Sequence, residues 1–140
     1  MFTMIVAGAE TFTIPKECIT SAKFTTDIPM DSDARTGDVG TTLVVQGKIL
    51  TAVDGAPSDS TRYMALWSAL PSKELACYRN VLLKNIRGNV VLREYNLPNA
   101  FVVDYKESFD DEEGVGTFTL KIKQKKDRIE YVTVNGGFLS

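Results

Sequence analysis

The chain contains no histidine among its 140 residues. Histidine is the commonest general base, the usual partner of a serine or cysteine nucleophile, and the commonest zinc ligand. Its absence excludes those sites and leaves only carboxylate or lysine chemistry as routes to catalysis. The sequence therefore predicts a protein that is not an enzyme, with no catalytic residues, no cofactor and no metal.

Cysteine is scarce as well. Cys18 and Cys77 lie far apart in the sequence and form no Cys-x-x-Cys pair. They fit two reduced, partly buried thiols, while a disulfide between them stays open. No hydrophobic run approaches the ~20 residues that cross a bilayer, and the N-terminus lacks the basic region of a secretory signal. We expect synthesis in the cytoplasm and no membrane insertion.

A large excess of either sign of charge is also lacking. Sixteen basic residues stand against 18 acidic ones, which gives a net charge of −2. No basic field is available to attract nucleic acid, so we expect no direct nucleic-acid recognition. The hydrophobic content of 44% and charged content of 24% are ordinary for a globular protein. The length suits a single domain over residues 1–140.

The most informative pattern present is the alternation from Thr117 to Lys125. Side chains of a strand point alternately to its two faces. One face carries apolar side chains, namely Phe118, Leu120 and Ile122. The other face carries polar side chains that need water, anions or carboxylates, namely Thr119, Lys121, Lys123 and Lys125. The pattern predicts a half-buried strand with a lysine-rich outer side.

Short strand-like segments fill most of the remaining chain. The predicted strands cover residues 2–7, 11–14, 19–28, 41–50, 78–86, 90–95, 100–109, 117–125 and 129–134. Gly88 and Asn89 predict a tight hairpin because they supply the positive φ that two-residue turns need. The segment from Asn96 to Asn99 predicts a turn or corner. Many short strands with frequent turn signals favour a sandwich or a barrel.

One helix is predicted in the middle of the chain, over about residues 59–70. A serine or aspartate at positions 58–60 can cap its start, and Pro71 ends it or lies just beyond it. Apolar residues spaced three and four apart form one stripe, namely Tyr63, Met64, Trp67 and Leu70. The predicted fold is mainly β: a single-domain barrel of about eight to nine antiparallel strands, with this helix plugging or covering an open end.

Two acidic segments are weak candidates for chemistry. The polar segment Pro29–Gly40 is long for a loop of a compact domain, and such loops are often functional or disordered. Neither it nor the acidic run Asp110–Glu113 has the spacing of a calcium loop or a scaffold that fixes an acid–base pair. Glycine-rich phosphate loops are absent. A carboxylate hydrolase on the polar segment is a minor alternative.

The lysines of the 117–125 strand leave two interpretations open. They form either an ordinary solvated strand face, cross-paired with charged residues of a neighbouring strand, or a surface that faces another subunit or a shared channel. Nucleic-acid binding comes third, because no aromatic residues interleave with the lysines. The candidate residues for a lumen or interface strand are Asp104, Lys106, Lys121, Lys123 and Lys125.

The order of the predicted elements is distinctive. A β-rich front half with a long polar loop precedes the single helix, and a run of hairpins follows. Within that run, residues 97–105 read Leu-Pro-Asn-Ala-Phe-Val-Val-Asp-Tyr and lead into an acidic turn and the long alternating strand. This layout resembles the Hcp and phage tail-tube superfamily, mainly over positions 97–125, with support from residues 41–49.

The resemblance implies a function. Proteins of this superfamily form the inner tubes of contractile phage tails, type VI secretion systems and related injection particles, including prophage-derived ones. It implies a closed or nearly closed barrel and a homo-oligomeric ring, usually a hexamer, that stacks into a tube. Sheath, baseplate and spike proteins would be partners, and the protein would end in a virion-like or secreted particle.

The resemblance also implies that an extended loop reaches a neighbouring subunit or ring. The candidate residues for this contact are Asp31, Asp33, Arg35 and Asp38. The alternative function is a small β-barrel module that binds a ligand or peptide. That alternative requires a sizeable apolar cavity near Trp67.

Overall fold

Nine strands and one α-helix form the described part of the chain. The computed structural model describes residues 1–27, 40–50, 60–71, 74–111, 115–124 and 132–139. The strands are β1 (Phe2–Ala7), β2 (Phe12–Ile14), β3 (Ile19–Asp27), β4 (Gly40–Ile49), β5 (Arg79–Arg87), β6 (Val90–Phe109), β7 (Gly116–Gln124), β8 (Thr133–Asn135) and β9 (Phe138–Leu139). The helix is α1 (Arg62–Ser68). The prediction of a mainly β fold with one mid-chain helix is confirmed.

All nine strands belong to one antiparallel sheet with the order β2-β1-β5-β6-β7-β4-β3, and β8 and β9 also pair with β6. Strand β6 is 20 residues long. Its first part pairs with β5 and its second part pairs with β7. Ala100 pairs with Arg79 of β5 and also with Gln124 of β7. Since a residue has one partner at each edge, β5 and β7 lie on opposite edges of β6.

Strand β6 therefore divides the sheet into two halves. We call β2, β1, β5 and β6 up to Ala100 the first half-sheet. We call β6 from Ala100 onward, β7, β4 and β3 the second half-sheet. The halves fold over one cluster of buried side chains that both supply. Phe24 of β3 stacks on Tyr95 in the first part of β6, with ring centroids 4.6 Å apart.

Barrel closure is not observed in the described ranges. The end strands β2 and β3 do not pair with each other, so the hydrogen-bonded path stays open. The prediction was a barrel that is closed or nearly closed, and the described sheet is open at β2 and β3 while it folds over one shared core.

The predicted turn at Asn96–Asn99 is wrong, because β6 runs through it. Val81 pairs with Leu97 and Arg79 with Ala100, so Pro98 and Asn99 form a bulge opposite Asn80. Asn99 accommodates the extra residue by adopting the left-handed backbone conformation, with a φ of 57°. Leu97 is fully buried, which holds the segment in the sheet where the sequence alone suggests a corner.

Helix α1 is shorter than predicted. It begins at Arg62 and ends at Ser68, and Thr61 precedes it without a side-chain cap. Met64 and Trp67 are buried, as the apolar stripe predicts. No helix in the described ranges is long and apolar enough to cross a membrane. The hairpin at Gly88 is confirmed, with a φ of 64° at that glycine.

Candidate assembly surface

Strand β7 has the two faces that its sequence predicts. Phe118, Leu120 and Ile122 are at most 2% exposed and lie in the core. Lys121 is exposed on the opposite face and Lys123 is half-buried there. Because β7 is flanked by β6 on one side and β4 on the other, its outer face lies in the middle of the second half-sheet.

The pairing register places charged residues of other strands beside the β7 lysines. Lys121 lies between Asp104 of β6 and Val44 of β4. Across β4, Val44 pairs with Lys23 of β3. Lys106 of β6 lies opposite Thr119, and its Nζ is 3.6 Å from the Asp104 carboxylate. Both partners of this ion pair are exposed, so it contributes little to stability.

Each strand of the second half-sheet thus presents at least one lysine on the outer face. We call this surface the lysine face, and its lysines are Lys23, Lys48, Lys106, Lys121 and Lys123. Sequence reasoning singled out the β6 and β7 members but missed Lys23 and Lys48. Only the register of β3 and β4 brings those two alongside, although each lies at a polar position of an alternating strand.

The remaining predicted site residues cannot be placed on this surface. Lys125 lies outside the described residues. So do the four loop candidates, Asp31, Asp33, Arg35 and Asp38. Their predicted roles in subunit contacts stay predictions.

Among the described strands, the second half-sheet has an unpaired edge on each side, and we call these the bare edges. Strand β3 pairs only with β4 among the described strands. Beyond Ala100, no described strand lies along the edge of β6 opposite β7. Unprotected sheet edges are templates for pairing with another chain, and proteins normally cover or blunt them.

A buried arginine links the helix region to the sheet. Arg79 is 5% exposed, and its guanidinium carbon lies 5.6 Å from the Trp67 ring centroid and 6.0 Å from that of Phe12. Its Nε donates to the Ala76 carbonyl at 3.1 Å, while Nη1 has no acceptor among the described residues. Burial lowers the pKa of Arg79, and the charge of Glu10 partly opposes this. The two aromatic rings stabilise the cation in place of a carboxylate contact.

A cavity described beside Trp67 is small. Trp67 Nε1 donates to the Cys77 carbonyl at 2.8 Å, and the adjacent cavity of about 130 Å³ is lined by Trp67, Leu70, Cys77, Tyr78 and Phe101 among others. Pockets for small molecules usually measure about 300–1,000 Å³. This cavity beside Trp67 is smaller than the sizeable one that a ligand-binding module requires there.

Two further predictions concern reactive side chains. Cys18 and Cys77 are both buried, and they are thiols rather than a disulfide. No three or more cysteine, aspartate or glutamate side chains converge on a metal-sized site in the described ranges. The features that stand out in this structure are therefore the lysine face and the two bare sheet edges.

Comparison with known proteins finds similarity in structure but not in sequence. No family model matches the chain, and no curated protein matches it either. Among solved structures, a chain of the six-fold symmetrised anti-feeding prophage baseplate aligns with a TM-score of 0.56 and 14% identity, covering 96% of this chain and 92% of that one.

Two further structures align over nearly the whole chain. Hcp1 from Flavobacterium johnsoniae gives a TM-score of 0.54 at 18% identity, covering 99% of this chain and 98% of that one. A type six secretion system protein gives 0.54 at 12% identity, covering 100% and 92%. The chain has the fold of the Hcp and tail-tube proteins, and the resemblance noted from its sequence is confirmed at the level of fold.

Proposed function

We propose that the protein is a structural subunit that assembles head to tail into rings, which stack into the inner tube of a contractile phage-tail-like or type VI-like secretion particle. Its role is mechanical rather than catalytic. The fold supports this proposal, and the observation that carries it is the four-stranded second half-sheet, along whose two edges no other described strand pairs.

The two bare edges are complementary in direction. Strands β3, β4, β7 and β6 alternate in direction across the second half-sheet because every pairing is antiparallel. With four strands, the β3 edge of one copy continues this alternation when it lies beside the β6 edge of the next copy. The contact joins two different edges, so it is heterologous, and such contacts close into rings or propagate as filaments.

The finer features of the assembly follow the same proposal. We take six subunits as the ring size, in line with the six-fold symmetry of the similar baseplate structure. Sheath, baseplate and spike proteins are the proposed partners, and the protein would end in a virion-like or extracellular particle. The segment with Asp31, Asp33, Arg35 and Asp38 is the proposed contact to a neighbouring subunit or ring.

Engineered cysteines test the edge contact. Thr25 on β3 is replaced by cysteine together with one of three outer-face residues of β6, Asp104, Lys106 or Ser108, in three double variants. Facing residues of an antiparallel pair have Cα atoms about 4.5–5.5 Å apart, a distance that a disulfide spans. At least one double variant should give, on oxidation, a ladder of cross-linked species that stops at the ring size on a non-reducing gel.

The single-cysteine variants are the matched controls. The unmodified chain shows whether Cys18 and Cys77 form cross-links by themselves. Head-to-tail pairing predicts that no single variant cross-links, because β3 meets β6 and never another β3. A single variant that cross-links efficiently as a dimer would show the isologous contact instead. The absence of a ladder from all three double variants would also contradict the proposed edge pairing.

A further inference from the structure

The lysine face is much more basic than the chain as a whole. The chain has a net charge of −2. Among the side chains that the structure describes, five lysines and one acidic residue, Asp104, lie on this face. The other outer-face side chains are mostly hydroxyls and amides, such as Ser21, Thr25 and Gln46. Charge of one sign is therefore concentrated on one surface of an otherwise slightly acidic molecule.

The lysines share one sheet face at different separations. Adjacent strands lie about 4.8 Å apart, and alternate residues along a strand are separated by about 6.7 Å. Lys121 is one such step from Lys123 and two strands, or about 10 Å, from Lys23, which is comparable with the screening length of about 8 Å at physiological salt. Lys48 lies further along the sheet and contributes less to the shared potential. Lys23, Lys48 and Lys121 have no carboxylate within ion-pair distance among the described residues. Among the described side chains, positive charge therefore exceeds negative charge on this face.

Ring closure would turn this face inward. The first half-sheet and α1 pack on the core side of the second half-sheet, so the bulk of each subunit lies on that side. A ring has more room along its outer circumference, which favours placing the bulk outside and the thin sheet face inside. Edge-to-edge pairing also presents the same face of every copy on the same side of the ring.

We propose that the lysine face is a contact surface for acidic polypeptides, which the assembled tube would admit as cargo. This inference rests on the proposed ring, because only the ring encloses the face. A channel lined by one sign of charge concentrates molecules of the opposite sign and speeds their association. The outer-face neighbours of the lysines are mostly hydroxyl and amide side chains, and Val44 between Lys23 and Lys121 is half-buried. The face therefore offers limited apolar area, and the cargo is attracted mainly by charge.

The composition of the face favours a polypeptide over a nucleic acid. Its cations are all lysine, whose ammonium group is a compact point charge that pairs with carboxylates in many geometries. Single-stranded nucleic acids are bound through aromatic platforms on which bases stack. The aromatic side chain at the border of this face, Phe101, is half-buried and already packs edge-on against Tyr78.

The test measures association of fluorescent poly-L-glutamate with the full-length protein. The variant replaces Lys23, Lys48 and Lys121 with glutamine. The matched control makes the same kind of change at Lys16, Lys84 and Arg87, which lie outside the lysine face. The association rate should fall on the order of tenfold in the face variant, and should fall as salt is raised in the unmodified protein. The control should change little.

Three results would overturn the inference: an unchanged rate in the face variant, an equal fall in the control variant, or tighter binding of a single-stranded oligonucleotide than of polyglutamate. Native mass measured on the same samples separates this inference from the proposed function. A monomeric protein that binds polyglutamate through the face lysines would contradict the proposed ring and channel. It would still support the lysine face as a binding surface for acidic polypeptides. Rings that do not bind polyglutamate would support the proposed assembly and contradict the cargo inference.

Discussion

Replacing Gly47 with alanine should destabilise the protein by more than about 3 kcal/mol. A Cβ atom at this position would lie 1.7 Å from the backbone oxygen of Cys18 and 2.7 Å from the Phe118 ring. The ring can shift, but the backbone oxygen belongs to the turn that leads into β3 and has no rotamer to change. Thermal unfolding should show a melting temperature lowered by about 10 °C or more, or no soluble protein at all.

Gly88 provides the matched control. It has a φ of 64° and no neighbouring atom within 4 Å of an added Cβ. Asparagine tolerates this backbone conformation, so Gly88→Asn should leave the melting temperature within a few degrees of the original. If Gly47→Ala proved as stable as Gly88→Asn, the close packing of β4 against the Cys18 turn would be wrong.

Proline on the bare edge of β3 should abolish assembly at one position and damage folding at the next. Neighbouring N–H groups of a strand point to opposite edges, so one of Thr25 and Thr26 directs its N–H toward β4 and the other toward the bare edge. Proline has no N–H to donate. The variant that loses the outward N–H should keep nearly its original melting temperature and fail to form rings.

The other of the two proline variants is the internal control. It loses an N–H that bonds β4, and it should lower the melting temperature by several degrees. Size-exclusion chromatography with light scattering gives the oligomeric state, and calorimetry gives the melting temperature of both variants. Two stable variants that both assemble as the unmodified chain does would show that β3 is not the edge through which subunits join.

Local patterns in the sequence predict individual elements well. The alternation of Phe118, Leu120 and Ile122 fixes the faces of β7, and Gly88 fixes a hairpin, because both depend on residues that are adjacent in the chain. The position of α1 follows from the spacing of Met64 and Trp67 in the same way. These features need no knowledge of what packs against them.

Features that depend on distant contacts could not be predicted. The register between β3, β4 and β7 unites Lys23 and Lys48 with the β7 lysines, and nothing in the chain's local pattern encodes that register. Asn99 lies in a bulge inside β6, because Val81 pairs with Leu97 and Arg79 pairs with Ala100. The burial of Arg79 between two aromatic rings likewise emerges only from tertiary packing.

The most direct test of the central claim is electron microscopy of the purified full-length protein at high concentration, with native mass spectrometry of the same sample. We expect closed rings of uniform subunit number, six by the proposal, with a central channel and a tendency to stack into short tubes. A protein that stays strictly monomeric across the concentration range, with no rings in the micrographs, would contradict it.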